Sequence, residues 1–339
     1  PKLFSNSPSL SNYAEEIRQV MLRVPEDDLE AQMDTLRQFK QAQHLRIAAA
    51  DISKILPITK VSDHLTAIAE SLIEQVVQLS WQQVTKRFGI PSSLEDESHK
   101  GFTVIGYGKL GGLELAYSSD LDLVFVHNQQ GDSSTIGNKQ ISSRQFYLKL
   151  AQRLMHLFNT RTASGILYEL DTRLRPEGNS GLLAINIESF NHYQQSQAWT
   201  WEHQALARAR MIYGETELVE RFEEIRKDIL CTARDEAQIK DDVVKMREKM
   251  RAHLSKDSEQ AFDLKQGHGG MTDIEFIAQF LVLNHARHCH ELTHFPDNIR
   301  ILESAAQQGV INSEQQAILT ECYCTLREHY HLNSLNQHG

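Results

Sequence analysis

Asp120 and Asp122 stand at the head of an apolar run inside residues 104–127, VIGYGKLGGLELAYSSDLDLVFVH. Positions two apart on an extended strand project to one face. Two carboxylates are thereby set side by side, while Leu121, Leu123 and Phe125 turn to the other face. Carboxylates beside a buried strand are costly unless a cation satisfies them, and neighbouring ionised carboxylates repel. Divalent magnesium, which takes oxygen ligands, would answer both problems. A second stretch, LYELDTRLRPEG, alternates Glu169, Asp171, Arg173 and Arg175 with Tyr168, Leu170, Thr172 and Leu174. Paired beside the first strand, it would add a third carboxylate, with Glu169 in reserve, and two arginines. That set suits a magnesium-bound triphosphate, the metal bridging phosphate oxygens and the arginines neutralising the remainder. Either segment alone also reads as a solvated charged face. Together, behind a glycine-rich loop and Lys109, they point to metal-dependent nucleotide chemistry.

The loop itself, Gly106-Tyr-Gly108-Lys-Leu-Gly111, fits the letters of a dinucleotide fingerprint and follows a strand. The spacing argues against that fold. Eight residues separate Gly111 from Asp120, and a parallel crossover needs about a dozen or more. The acids also precede their strand's apolar run instead of following it. A P-loop is excluded because Leu110, not Ser or Thr, follows Lys109.

The elements that must position these residues can be read in outline. Residues 10–55 are expected to be helical, with Glu26, Asp27, Asp28 and Glu30 marking a helix start after Pro25. Leu65, Ile68, Leu72, Val76 and Leu79 recur at helical spacing and predict a helix over about 62–88, capped by Ser62 or Asp63. Residues 91–100 (PSSLEDESHK) are a polar connector. Strands are expected at 102–105, 121–126, 166–174 and 182–187, the last two separated by RPEGNSG. A helix over 142–158 shows Phe146, Leu150, Leu154 and Leu157 on one face. Everything from 188 onward reads as helical, broken at Gly267–Gly270. The expected division is a helical segment 1–60, a core 61–214 and a helical domain 215–339.

Composition narrows the classes. The 339 residues are 40% hydrophobic and 24% charged, ordinary for a globular protein, and the net charge of −10 argues against broad capture of nucleic acid. No apolar run is long enough to span a membrane and no signal peptide is visible. Four cysteines without a C-x-x-C pattern fit a reducing, cytoplasmic setting. The sequence starts at Pro1, so a piece of a longer chain is expected.

The order strand, glycine loop, D-x-D strand, helix and strand with a third Asp resembles the nucleotidyltransferase superfamily, which includes the short repair DNA polymerases. Five segments resemble the glutamine synthetase (glutamate–ammonia-ligase) adenylyltransferase family much more closely. They are GYGKLGGLELAYSSDLDLVFVH, RQFYLKLAQRLMHLF, GILYELDTRLRPEGNSG, WTWEHQALARARMIYG and GGMTDIEFIAQFLVL. The likeness runs from about residue 25 nearly to the C-terminus. It implies an α+β fold, a small mixed-sheet core flanked by N-terminal helices and a C-terminal helical bundle. That family has two related halves, one removing AMP from glutamine synthetase by phosphorolysis and one adding it from ATP; GYGKLGG, SSDLDL and YELDTRLRP resemble the adding, C-terminal half. In one respect the sequence departs from the superfamily. Only seven residues lie between Gly112 and Asp120, fewer than after the usual glycine pair, so Gly108 and Lys109 could share the phosphate-binding role.

The resemblance implies in-line attack by a tyrosine hydroxyl of glutamine synthetase on the α-phosphate of ATP, with release of pyrophosphate. Asp120 and Asp122 would hold the metal, Mg²⁺ or Mn²⁺. Asp171 would hold a second metal or act as general base, helping a hydroxyl that titrates near ~10. Gly111, Gly112, Ser118 and Ser119 would cradle phosphates, and Lys109, Arg173 and Arg175 would offset the leaving group's charge. Glutamine and the PII signalling protein are the implied regulators. Two alternatives are a regulatory nucleotide-sensing or partner-binding module and phosphorolytic deadenylylation. Trp199, Trp201, Glu202, Arg208 and Arg210 could contact nucleotide or partner, or simply pack. Thr272 with Glu275 reads as a capping box, which accounts for Glu275 without bringing it and Asp273 to the metal. His285, His288, His290 and His294 around Cys289 match no common zinc spacing.

Overall fold

The structure, a computed structural model, describes residues 12–94, 99–129, 131, 133–137, 139–256 and 262–336. Residues 10–11 of the expected first helix and 95–98 of the connector lie outside the described residues.

In chain order the elements are α1 (Asn12–Met21), α2 (Leu29–Ile52), α3 (Ile58–Phe88), β1 (Ile90–Pro91), β2 (Phe102–Gly106) and α4 (Gly108–Gly111). There follow β3 (Leu121–His127), β4 (Thr135–Ile136), α5 (Ser143–Asn159), β5 (Leu170–Asp171), β6 (Ala184–Asn186), α6 (Ile187–Ser196) and α7 (Thr200–Ala207). The chain continues with β7 (Arg210–Tyr213), α8 (Thr216–Leu230), α9 (Glu236–Leu254), α10 (Met271–His285), α11 (Asn298–Gln307) and α12 (Ser313–Asn336). This is the expected α+β class, dominated by helix around a small mixed sheet.

Local chemistry explains where the elements begin and stop. The expected helix over 10–55 is two helices. Pro25 cannot donate to a helix ladder, and Asp28 restarts it by accepting the Ala31 amide at 3.0 Å. α3 opens right after Pro57, four residues ahead of Ser62, so neither Ser62 nor Asp63 is its cap. Ser142 caps α5 through the Gln145 amide at 3.2 Å. The strand expected over 166–174 is only Leu170–Asp171. The Asp171 carboxylate accepts the Arg173 amide at 2.8 Å, and this side-chain turn bends the backbone out of the sheet. β7 lies where helix was expected, in a four-residue run too short to show a period.

The main sheet runs β5-β3-β2-β7, with β6 also paired to β3. β2 is antiparallel to β3, Phe102 opposite His127 and Gly106 opposite Leu123. On the other edge of β3, β5 and β6 both pair in parallel, one at each end. The chain divides into two compact units. One contains the chain up to Gly106 with Ser119–Asn191 and Met211–Phe222; the other contains Tyr107–Ser118, His192–Arg210 and the chain from Glu223 on.

In the first unit α3 packs on α1, α2 and α5. The expected stripe, Leu65 through Leu79, is buried, as are Phe146, Leu150, Leu154 and Leu157 of α5. In the second, α10 packs on α7, α9, α11 and α12, with Ile274, Ala278, Leu281 and Val282 against Ile301, Leu302 and Ala305. All four cysteines are free thiols. Among the described residues no helix is long and apolar enough to cross a membrane.

Candidate active site

Asp122 opposes Asp171 directly in the parallel pairing of β3 and β5. In parallel register, opposed side chains share a face. Asp120, one residue ahead of β3 and two before Asp122, joins them on it. The Leu121 amide locks this end of the pairing by donating to the Glu169 carbonyl at 2.9 Å. One carboxylate oxygen from each of Asp120, Asp122 and Asp171 lies within 4.8 Å of the others. Asp120 is exposed; Asp122 and Asp171 are half-buried. Among the described residues no other group of three His, Cys, Asp or Glu gathers this way, the histidines around Cys289 included. Three carboxylates form an all-oxygen donor set, the kind hard divalent cations take. This cluster could hold a metal.

Arg173 folds back on the cluster. Its Nε donates to both Asp171 oxygens, at 3.0 and 2.8 Å, and its Nη2 completes the ion pair. Hydrogen bonding to Arg173 holds the Asp171 carboxyl below the usual carboxylate range, against the opposing effect of desolvation. Arg173 is held more firmly protonated in return, first by Asp171 and then by the charges of Asp122 and Asp120. Arg175 behaves differently from expectation. It leaves the strand face and organises the turn, donating to the Thr172 carbonyl at 2.7 Å, the Gly181 carbonyl at 3.2 Å and the Asn179 carbonyl at 3.2 Å. The same turn explains Gly181, where an added Cβ would lie 1.9 Å from the Pro176 carbonyl oxygen. Glu169 is exposed and outside the cluster. Ser119 belongs to the first unit with these residues; Gly108, Lys109, Gly111, Gly112 and Ser118 belong to the second.

Within the second unit, Gly108 takes a left-handed φ of 54° and opens α4. The Gly111 and Gly112 amides donate to the Tyr107 and Gly108 carbonyls, both at 3.0 Å. Gly112 is small for a packing reason, since a Cβ there would meet Arg208 Nη2 at 2.5 Å. The Lys109 ammonium sits 5.0 Å over the Tyr330 ring, and Ser118 Oγ is 3.1 Å from Ser334 Oγ. Arg210 Nε donates to the Gly111 carbonyl at 3.2 Å. Arg208 is buried against Glu114 and Glu275. Glu275 therefore serves as an ion-pair partner in the body of α10, whose N-cap is Gly270. Asp273 pairs with Arg247 at 2.6 Å and Arg251 at 2.8 Å. Trp199 is 70% exposed, and its amide donates to Glu202 at 2.9 Å.

Sequence reasoning missed a row on α2 that steadies the approach to Asp171. Arg37 donates to the carbonyls of Gly165 at 2.8 Å and Leu157 at 2.9 Å. Lys40 donates to Leu167 at 2.6 Å and lies 3.8 Å over the Tyr168 ring. His44 Nε2 is 3.3 Å from the Tyr168 hydroxyl. Burial, then the Arg37 charge, pulls Lys40 down to about 8; burial, then Lys40, pulls His44 down to about 3. The available signal was Arg37, Lys40 and His44 at helical spacing on one face of α2.

A small mixed sheet among helices, with carboxylates of two parallel-paired strands gathered at one end, is the layout of a nucleotidyltransferase. The family model described as glutamate-ammonia ligase adenylyltransferase matches residues 1–225, well over half of the chain, and the chain belongs to that family. Residues 239–336 match the family model described as GlnD PII-uridylyltransferase. The protein is thus an enzyme of the adenylyl-transferring class, and its family takes glutamine synthetase as substrate.

Proposed function

We propose that this chain moves AMP from ATP to a tyrosine hydroxyl of glutamine synthetase, the bond to the β-phosphate breaking as pyrophosphate leaves. The observation that carries the reading is the register of β3 and β5, which sets Asp122 against Asp171 with Asp120 beside them. Asp120, Asp122 and Asp171 would hold Mg²⁺ or Mn²⁺, which supplies charge neutralisation on phosphate oxygens and lowers the pKa of a bound hydroxyl. Arg173 keeps Asp171 ionised. A carboxylate held below its ordinary range is a poor proton acceptor at neutral pH, so Asp171 is better suited to ligand than to general base. Arg173, held beside the cluster by Asp171, could also meet phosphate charge arriving there. For Gly108, Lys109, Gly111, Gly112, Ser118 and Ser119 the phosphate-binding role rests on residue type and family likeness. Control by glutamine and the PII protein, and a cytoplasmic place of action, rest on the family alone.

The test is transfer of label from α-labelled ATP to purified glutamine synthetase with Mg²⁺, by this chain and by its Asp122→Asn variant. Labelling by the first and not the second supports the reading. Equal labelling by both removes the carboxylates from the chemistry. A folded chain that binds ATP and labels nothing supports a sensing module. Release of ADP from adenylylated target with phosphate supports the reverse-type reaction.

A further inference from the structure

The chain has a net charge of −10, yet two of its segments hold no Asp or Glu. Residues 75–94 contain Lys86 and Arg87; residues 133–168 contain Lys139, Arg144, Lys149, Arg153 and Arg161. The fold sets these segments together. α3 packs on α5 within the first unit, and a trough of about 520 Å³ opens between them. Lys86 and Arg87 stand on one wall, Lys149, Arg153 and His156 on the other, and no carboxylate lines it among the described residues. The α5 residues recur at helical spacing, so they form one stripe about two turns, or ~10 Å, long.

Part of this charge has a structural reason. Lys86 and Arg87 end α3, where the helix carbonyls favour cations. That reason does not reach Lys149 and Arg153, which lie in the body of α5. Arg153 is half-buried, its Nε donates to the neutral Gln83 amide oxygen, and burial weakens its hold on its proton. Arg87, Lys139 and Lys149 stand 5.1, 5.8 and 5.4 Å from the buried ring of Phe88. Cations collected around one ring, with no carboxylate among the described residues lining the trough, make a positive patch that an anion would neutralise.

We propose that this trough binds a compact oligophosphate, a chain of two or three phosphate groups read by Lys86, Arg87, Lys149 and Arg153. It shares no residue with the carboxylate cluster. Its length suits such a chain, and lysine and arginine are the side chains that grip phosphate oxygens. A protein partner is less well matched. Among the described residues no large apolar side chain is exposed on either helical wall, and protein interfaces anchor on such groups. The phosphate chain could belong to a free nucleotide or to an inorganic oligophosphate; the chemistry recognised is the same.

The experiment is calorimetric titration of inorganic tripolyphosphate onto the whole chain in EDTA and low salt, where the carboxylate cluster repels phosphate. One equivalent is expected to bind, more weakly as salt rises. Lys149→Gln and Arg87→Gln should each weaken binding about tenfold, with circular dichroism unchanged, and Asp122→Asn should leave it intact. Displacement by ATP but not by AMP would identify a nucleotide's phosphate chain as an occupant; displacement by pyrophosphate alone would identify the inorganic one. No saturable binding, binding indifferent to Lys149 and Arg87, or binding lost in Asp122→Asn would overturn the proposal. So would decaglutamate binding at these residues where tripolyphosphate does not, which would mark an acidic protein surface instead.

Discussion

Glu114 is 5% exposed and fully engaged. Arg208 pairs with it, Tyr323 donates to it at 2.7 Å, and Asn298 donates from its backbone at 3.1 Å and its side chain at 3.0 Å. Eight residues later, Asp122 meets Asp120 and Asp171 with their oxygens within 4.8 Å. The two carboxylate sites belong to different compact units and are built on opposite principles. The first gathers donors around one acid until its lone pairs are used. The second gathers acids around a space and gives Asp171 one arginine. Burial would push Glu114 up, but the charges of Arg208 and Arg327 and the bonds from Tyr323 and Asn298 hold it down. Such a group ties helices together. Three acids gathered at a strand end repel one another, and a cation among them would relieve that repulsion.

The comparison breaks if neutralising the acids harms the fold. Asp120→Asn and Asp171→Asn should cut AMP transfer to glutamine synthetase by about 10³-fold or more, roughly 4 kcal/mol. The urea midpoint of Asp120→Asn should stay level or rise, because a like-charge repulsion is relieved, and that of Asp171→Asn should fall only slightly, with the loss of an exposed Arg173 ion pair. Unfolding of either variant would make the cluster structural. Arg208→Met should do the reverse, costing about 3–5 kcal/mol of stability by leaving Glu114 buried without its partner. Urea denaturation reads this, and a loss below about 1 kcal/mol would show the network to be ornamental. Gly112→Ala should cost about 1–3 kcal/mol, since the new Cβ meets a pinned Arg208.

A smaller effect sharpens the cation argument. Arg173→Gln removes the positive charge competing at Asp171, so Mn²⁺ without nucleotide should bind a few-fold more tightly. Weaker binding would mean that Arg173 holds the cluster in shape. The smallest effect is in pH. Glu114 and Asp171 are both held below their ordinary values. Their contribution to stability is complete above the unfolded-state pKa values near ~4 and is lost as pH falls through the folded ones. Glu114→Gln should therefore flatten the decline in thermal midpoint on acidification below about pH 4. An unchanged slope would assign acid unfolding to other groups.

Much of this was legible beforehand. The α3 and α5 stripes, the D-x-D strand and a third acid on a neighbouring strand follow from side-chain periodicity, and the structure keeps them. The arginines were not legible. Alternation assigned Arg173 and Arg175 to one strand face, but the Asp171 side chain ends that strand after two residues, a competition that alternation does not register. Glu275 looked like a cap because the motif is local; its partner Arg208 lies on a distant segment. Gly112 has a packing reason that the sequence does not show, since a Cβ there would meet Arg208. Sequence periodicity reveals faces, whereas ion pairs between distant segments appear only once the chain is folded.

The central claim is that the β3–β5 acids hold a divalent cation and the Glu114 network does not. Electron paramagnetic resonance titration of Mn²⁺ onto the native chain, Asp122→Asn and Glu275→Gln tests it most directly. The account predicts saturable Mn²⁺ binding by the native chain, at least about tenfold weaker binding in Asp122→Asn, and native affinity in Glu275→Gln. Equal Mn²⁺ affinity in the native chain and Asp122→Asn would contradict it.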